Sequence, residues 1–207
     1  MDSKQFYEKY WNARNKSSHR PRHSIFSEWI DDGASVLDVG CGDGAFLNFL
    51  KAQNRGINLA GVDISDQALS VCRERGFQTF QADVSGALPF KDKTFDYSVC
   101  SEVLEHIANS EDLLNEMCRI SRKAVLVSIP NIALWKHRCR LFFLGKFPTQ
   151  WLLEPREHIR FFSVKDFMST ANDLGFSVQR VKVSSGTRIL KYLWPNLFAD
   201  QVCFLLE

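Results

Sequence analysis

At 207 residues the chain is one domain by size and long enough to bury a substantial core. Its 45% hydrophobic and 24% charged residues are ordinary for a globular protein, and no apolar run approaches the roughly 18 residues of a membrane span. Nothing resembles a signal peptide, a repeat or a low-complexity tract, and the six cysteines (41, 72, 100, 118, 139, 203) form no C-x-x-C pair. Free thiols in a reducing cytoplasm explain them better than disulfides or a zinc site.

Taken in order, residues 1–32 precede the first strand, either as an N-terminal cover or as a solvated lead-in whose aromatics dock on the core. Phe6, Tyr7, Tyr10 and Trp11 are aromatic enough to dock on something, and Asn12 to Arg22 holds Arg14, Lys16, Arg20 and Arg22 without an acid. A helix is predicted over Ser24 to Ile30, closed by Asp31-Asp32-Gly33. Val36-Leu37-Asp38-Val39 then forms a short strand that breaks on Gly40, Gly42 and Gly44, and Ala45 to Leu50 follows with helical spacing. Strand, glycine turn and helix make a nucleotide site, because glycines let a ligand lie against the backbone.

The chain continues with a strand from Asn58 to Asp63, a helix from Asp66 to Arg75 capped by Ser65, and a strand from Phe77 towards Asp83. Leu88 to Lys93 turns into a fourth strand over Phe95 to Cys100. A helix over Ser110 to Ser121 and a strand over Ala124 to Ile129, ended by Pro130, come next. Beyond residues 132–162, a helix over Ser163 to Leu174 precedes strands at Ser177 to Val183 and Val202 to Leu206. Alternation of this kind implies an α/β, doubly wound, mostly parallel sheet with right-handed crossovers. Ligands bind at the carboxyl ends of such strands, and Asp38, Asp63, Asp83 and Ser101 all fall near one.

Which nucleotide is decided by charge. Gly40-x-Gly42-x-x-Ala45, with Asp63 about 20 residues on, formally satisfies the dinucleotide fingerprint. Asp38 and Asp43 argue against it, because two like charges ~5 Å apart at an effective dielectric of about 20 repel by roughly 3 kcal/mol. Those acids would repel a pyrophosphate and attract the ammonium and sulfonium of S-adenosylmethionine (SAM).

The runs V-L-D-V-G-C-G-D-G at 36–44, G-V-D-I-S at 61–65, Q-A-D-V at 81–84 and S-E-V-L-E-H at 101–106 resemble the serial motifs of class I SAM-dependent methyltransferases. Further on, S-I-P-N-I-A-L-W-K at 128–136 and W-P-N-L-F-A-D-Q at 194–201 resemble the MetW-like branch, named for methionine biosynthesis. The E-x-x-E-H run at 102–106 departs from that branch and is commoner in other class I methyltransferases. The resemblance implies one Rossmann-like domain with seven strands, the last inserted antiparallel. It also implies that the N-terminal segment folds over the cofactor, where one of its arginines would meet the SAM carboxylate.

Residue by residue, the resemblance puts the Gly40-Cys41-Gly42 backbone at the methionine moiety and Asp63 on both ribose hydroxyls. Ile64 then packs on adenine, Asp83 accepts from the adenine amino group and the Val84 amide donates to the ring. Asp63 or Asp83 alone would read as a turn-capping acid; in series with the glycine loop they read as cofactor ligands. Bound SAM, or S-adenosylhomocysteine as product, is the expected cofactor.

Methyl transfer from a sulfonium needs alignment and water exclusion, and a base only where the acceptor must lose a proton. His106 is the first candidate base, with His158 and then His137 behind it; the plainer reading of His106 is a turn or cofactor contact without proton transfer. Glu102, Glu105 and His106, at i, i+3 and i+4, would share one face of a helical turn and could hold a divalent metal. The preferred reading is a solvated turn with one cofactor contact and no metal. The Asn/Asp-Pro-Pro-Tyr/Phe loop of amino-methylating nucleic-acid enzymes is absent, since Cys100-Ser101-Glu102-Val103 stands there, so a nucleic-acid partner is not expected.

Residues 132–162 read as an insertion over the substrate side. They hold six Lys/Arg (136, 138, 140, 146, 156, 160) against Glu154 and Glu157, hence +4, interleaved with seven Trp and Phe residues. That composition suits an acidic or lipid-linked acceptor or a basic membrane-surface or nucleic-acid face, and slightly better an amphipathic cover whose basic face is merely solvated. Two functions follow: a small-molecule methyltransferase acting on oxygen or nitrogen, favoured by the 102–106 run, or a SAM-binding partner subunit of a homoserine acyltransferase. In the first the insertion's aromatics turn inward around a cavity reached by His106 and His158; in the second they form an exposed apolar patch.

Overall fold

The computed structural model describes residues 3–13, 20–148 and 158–207. Expectations placed on Arg14, Lys16, Trp151, Glu154, Arg156 and Glu157 fall outside these residues.

Helices α1 (Ser3–Ala13) and α2 (Pro21–Trp29) precede the alternating unit β1 (Ser35–Val39), α3 (Ala45–Lys51), β2 (Asn58–Asp63), α4 (Asp66–Glu74) and β3 (Gln78–Gln81). β4 (Phe95–Ser101) leads through a 3-10 turn at Leu104–His106 to α5 (Ser110–Ile120) and β5 (Ser121–Pro130). The remainder is α6 (Trp135–Leu144), α7 (Val164–Asp173), β6 (Val178–Gly186), two short helices α8 (Leu190–Leu193) and α9 (Pro195–Phe198), and β7 (Ala199–Leu206). The seven strands form one sheet in the order β3-β2-β1-β4-β5-β7-β6. β1 to β5 pair in parallel, whereas β7 runs antiparallel to both β5 and β6.

Local chemistry sets the element ends. The Ser65 hydroxyl accepts from the Ala68 amide and starts α4, and Ser163 with Asp166 forms a capping box on α7. Amphipathic α5 buries Leu113, Leu114, Met117 and Ile120. The inner strands are apolar on both faces, since Leu37, Val62, Val99 and Leu126 are fully buried, as a sheet covered by helices on both sides requires.

Three elements run longer than sequence reading predicts. β5 begins at Ser121, directly after α5, and β6 and β7 extend to Gly186 and back to Ala199. The register continues because Asn131, fully buried, donates its amide to the carbonyls of Ala199 at 2.8 Å and Asn196 at 3.2 Å, while its Oδ1 accepts from the Ala133 amide at 3.1 Å. The two segments that carry the MetW resemblance, 128–136 and 194–201, are thus one packed unit, tied at Asn131. Among the described residues, no helix is long and apolar enough to cross a membrane.

Candidate functional site

The glycine loop leaves β1 with Gly40, Gly42 and Gly44 all at positive φ (72°, 54° and 73°). The amides of Gly40 and Cys41 both donate to the Val62 carbonyl, at 2.8 and 3.1 Å, which locks the loop to the end of β2. There Asp63 accepts from the Gly42 amide on Oδ2 and from the Ser65 amide on Oδ1, each at 2.9 Å. A carboxylate has about four lone-pair sites, so two acceptor positions are left for further donors such as a pair of hydroxyls.

α1 closes over this loop. A Cβ on Gly42 would stand 2.3 Å from Trp11 Cζ2, so the indole lies directly on the glycine backbone. Glu8, one turn earlier, accepts from the amides of Asp66 at 2.9 Å and Gln67 at 3.3 Å, and from the Ser65 hydroxyl at 3.2 Å. An acid at the first turn of α4 satisfies donors the helix cannot and complements its dipole. Helix α1 thus packs on the glycine loop and the start of α4, and Glu8 is a clasp that sequence reading missed. No motif announces it: a glutamate on a polar helix becomes a cap only through the fold.

The acids at the ends of β1 and β2 are buried close to one another. Asp38 is 3% exposed, and burial, reinforced by the charge of Asp63, pushes its carboxyl up to about 8 against the opposing pull of Arg22. Burial raises Asp63 as well, while its backbone N–H bonds hold it down. A cation between these groups would recover the charge interaction that burial leaves unmet, so the residues fit a sulfonium or ammonium. Asp43 contributes less than its position in the loop implies, because Arg75 lies 3.8 Å from its carboxylate.

Among the described residues of the Asn12–Arg22 stretch, Arg22 reaches the strand ends. Its Nε donates to Ser101 Oγ at 2.6 Å and its Nη1 to Gln201 Oε1 at 3.3 Å. Ser128 and Gln201 in turn donate to the two oxygens of Glu102, at 3.0 and 2.7 Å. Ile64 is half-buried beside Asp63 and Val84 is buried, but Asp83 is exposed and its Oδ1 accepts from the Ser85 amide and hydroxyl at 2.9 and 2.7 Å. Cys41 and Cys100 are buried, and burial raises the Cys100 thiol, as an inert strand cysteine requires.

The shared face expected of Glu102, Glu105 and His106 does not form. Glu102 takes φ 57° and turns its carboxylate to Ser128 and Gln201, so only Leu104–His106 make a helical turn. Nor is the turn solvated: Glu105 is 1% exposed, and burial pushes its carboxyl well up. A different partner joins instead. The amides of Ile159 and Arg160 both donate to the Glu105 carbonyl, at 2.9 and 3.0 Å, and bring the His158 ring to 4.8 Å from that of His106. Tyr7 of α1 packs edge-on against His106 at 6.2 Å. His137 lies apart on α6, where burial lowers its pKa against the charge of Asp200.

Most of the described aromatics of the insertion face solvent. Phe142 and Phe143 on α6 are 82% and 74% exposed, and Leu144 and Phe147 are open to solvent beside them. Trp135 Nε1 donates to Thr187 Oγ1 at 3.0 Å, joining α6 to the segment that carries exposed Ile189, Leu193 and Trp194. Among the described aromatics of the insertion, Phe162 turns inward at 5% exposure, whereas Trp135, Phe142, Phe143, Phe147 and Phe161 are exposed.

A Rossmann-like sheet with an antiparallel last strand, a glycine loop, and an acid ending β2 define the fold of the class I SAM-dependent methyltransferases. The chain matches the family described as Methionine biosynthesis protein MetW over residues 20–206, and it belongs to that family. It is 31% identical over 191 residues to the bifunctional methionine biosynthesis protein MetXA/MetW of Rhodopirellula baltica, covering 84% of this chain and 30% of that protein. It is also 33% identical over 130 residues to the ubiquinone biosynthesis O-methyltransferase of an Azoarcus species, covering 55% of this chain and 53% of the relative. The chain thus spans 30% and 53% of these two relatives' lengths. Among solved structures, a SAM-dependent methyltransferase from Archaeoglobus fulgidus aligns over 99% of both chains with a TM-score of 0.65 at 18% identity, which speaks to the fold alone.

Proposed function

We propose that this chain binds SAM at the Gly40–Gly44 loop and transfers its methyl group to an oxygen or nitrogen of a small-molecule acceptor. The observation that carries the reading is Asp63, a buried carboxylate clamped by the Gly42 and Ser65 amides at the end of β2 with acceptor capacity to spare. In this reading Asp63 takes the ribose hydroxyls, Ile64 packs on adenine, and Asp83 and the Val84 amide meet the adenine edge. Asp38 and Asp63 balance the ligand's positive charge, and Arg22 is positioned for its carboxylate. SAM, when bound, supplies an already activated methyl group. The chain's own work is to align the acceptor and keep water out, with Trp11 and Tyr7 of α1 as the cover. His106, with His158 beside it, is the group placed to take a proton from an acceptor hydroxyl or amine. Incubation with isotopically labelled SAM and a panel of phenols, acids and amines, read by S-adenosylhomocysteine formation, tests this. Binding of SAM without turnover on any acceptor would remove the catalytic half of the reading.

A second reading is favoured by the exposed patch of α6 and residues 189–194. In it the chain is a SAM-binding partner subunit of a homoserine acyltransferase. Large exposed aromatics on one face are what a docking surface needs and what a lone monomer seldom carries. The Rhodopirellula relative, whose name joins MetXA to MetW, supports the same idea. Co-purification with a homoserine acyltransferase, lost in a Phe142→Ser/Phe143→Ser variant that still binds SAM, would establish it. An unchanged complex in that variant would exclude the patch.

A further inference from the structure

The meeting of residues 104–106 with 158–160 has a chemistry that the cofactor site does not use. Glu105, His106 and His158 each offer a ligand atom, and these atoms all lie within 4.8 Å of one another. Glu105 Oε1 is 3.9 Å from His106 Nε2, while Glu105 Oε2 is buried without a hydrogen-bond partner. A carboxylate oxygen in that condition calls for a counter-group, since buried polar atoms are otherwise paired. The three residues are also held in place by backbone. Ile159 and Arg160 donate to the Glu105 carbonyl, the Arg160 side chain donates to the Ala108 carbonyl at 2.9 Å, and it also pairs with Glu111. This clamp joins segments 50 residues apart and presents His158 to the turn.

We infer that Glu105, His106 and His158 form a binding site for a divalent first-row transition-metal ion, ligated by one carboxylate and two imidazoles. Two imidazoles favour zinc or cobalt over magnesium or calcium, which prefer all-oxygen sites. Zinc–ligand distances of about 2.0–2.2 Å place tetrahedral donors roughly 3.4 Å apart, so the donors must draw in by up to about 1.4 Å. The half-buried imidazoles can supply that movement by side-chain rotation. Glu102 is not among the ligands, because Ser128 and Gln201 occupy its two oxygens. Three protein ligands leave a coordination position open to water or to an acceptor oxygen. The site stands whether or not the chain transfers methyl groups, but an ion on the His106 imidazole would take the place of the base role proposed for that ring.

The test uses the full chain, stripped with a chelator, dialysed, and titrated without SAM. Calorimetry with zinc should show one ion per chain at micromolar affinity or tighter, with magnesium at the same concentration giving no comparable binding. Cobalt should give visible bands of a nitrogen–oxygen site without the near-ultraviolet bands of thiolate ligation. His158→Ala should weaken zinc by about tenfold or more, as should Glu105→Gln, whereas His137→Ala on α6 should leave it unchanged. Thermal melting identifies any variant that fails to fold, and His158→Ala, on a half-buried side chain, decides the case if Glu105→Gln does fail. Absence of saturable binding, thiolate bands with cobalt, or equal affinity in His158→Ala would each overturn the site.

Discussion

Replacing Asp38 by Asn should separate what stabilises this chain from what serves a cationic ligand. Asp38 sits within β1 at 3% exposure, and burial, then the Asp63 charge, raise its carboxyl from 3.8 to about 8. A carboxyl raised in the folded state binds its proton more tightly folded than unfolded. Its contribution to stability is therefore complete below the unfolded value and is lost as pH climbs through 8. A shift of about four units at ~1.36 kcal/mol each bounds that loss at roughly 6 kcal/mol, and relaxation of the buried site lowers what is measured. Asparagine keeps the shape and removes the charge. Asp38→Asn should therefore gain on the wild type by about 2 kcal/mol or more between pH 5 and pH 8, most of it below pH 7, with the gain levelling off as pH approaches 8. Urea denaturation across that range reads the gain as a shift in midpoint at constant slope. The same variant should bind SAM more weakly, having lost one of two acids facing the cation. A stability difference that stays flat or shrinks as pH rises would refute the electrostatic account of β1.

Related measurements probe neighbouring residues. At pH 7 the ligand-free chain holds Asp38 mostly protonated, so SAM should displace close to one proton per chain, visible as a buffer-dependent binding enthalpy; proton uptake would contradict the assignment. Asp63→Ala removes the acceptor of the Gly42 and Ser65 amides together with the ribose partner, and should cost about 1.5–3 kcal/mol of SAM affinity, roughly 10- to 150-fold. An affinity within threefold of wild type would remove Asp63 from the site. Asn131→Ala orphans the Ala199 and Asn196 carbonyls and the Ala133 amide, and should destabilise the fold by about 2–3 kcal/mol in denaturant titration; a loss under half that would mean the β5–β7 junction holds without it.

Much of the sheet is readable along the chain because its punctuation is local. Glycines at 40, 42 and 44 break β1, Ser65 and Ser163 start helices, and alternating apolar segments imply parallel strands. What escapes reading depends on direction or on distant pairing. The i, i+3, i+4 argument for Glu102, Glu105 and His106 presupposes a helix, and the left-handed backbone at Glu102 breaks it. His158 joins Glu105 through two backbone hydrogen bonds across some 50 residues, which no spacing rule contains. Composition counts the aromatics of residues 132–162 but assigns them no face, so α6 could have pointed either way. Asp83 is the weakest of the cofactor assignments made from sequence, since in the fold it is an exposed turn acid bonded to Ser85.

Selection by the buried acids of a sulfonium nucleotide over a dinucleotide at the glycine loop is open to direct measurement. Calorimetry of one preparation against SAM and against NADH tests it directly. One SAM should bind per chain, more weakly in Asp63→Ala, with no measurable heat of binding from NADH. Tight binding of NADH with none of SAM would contradict it.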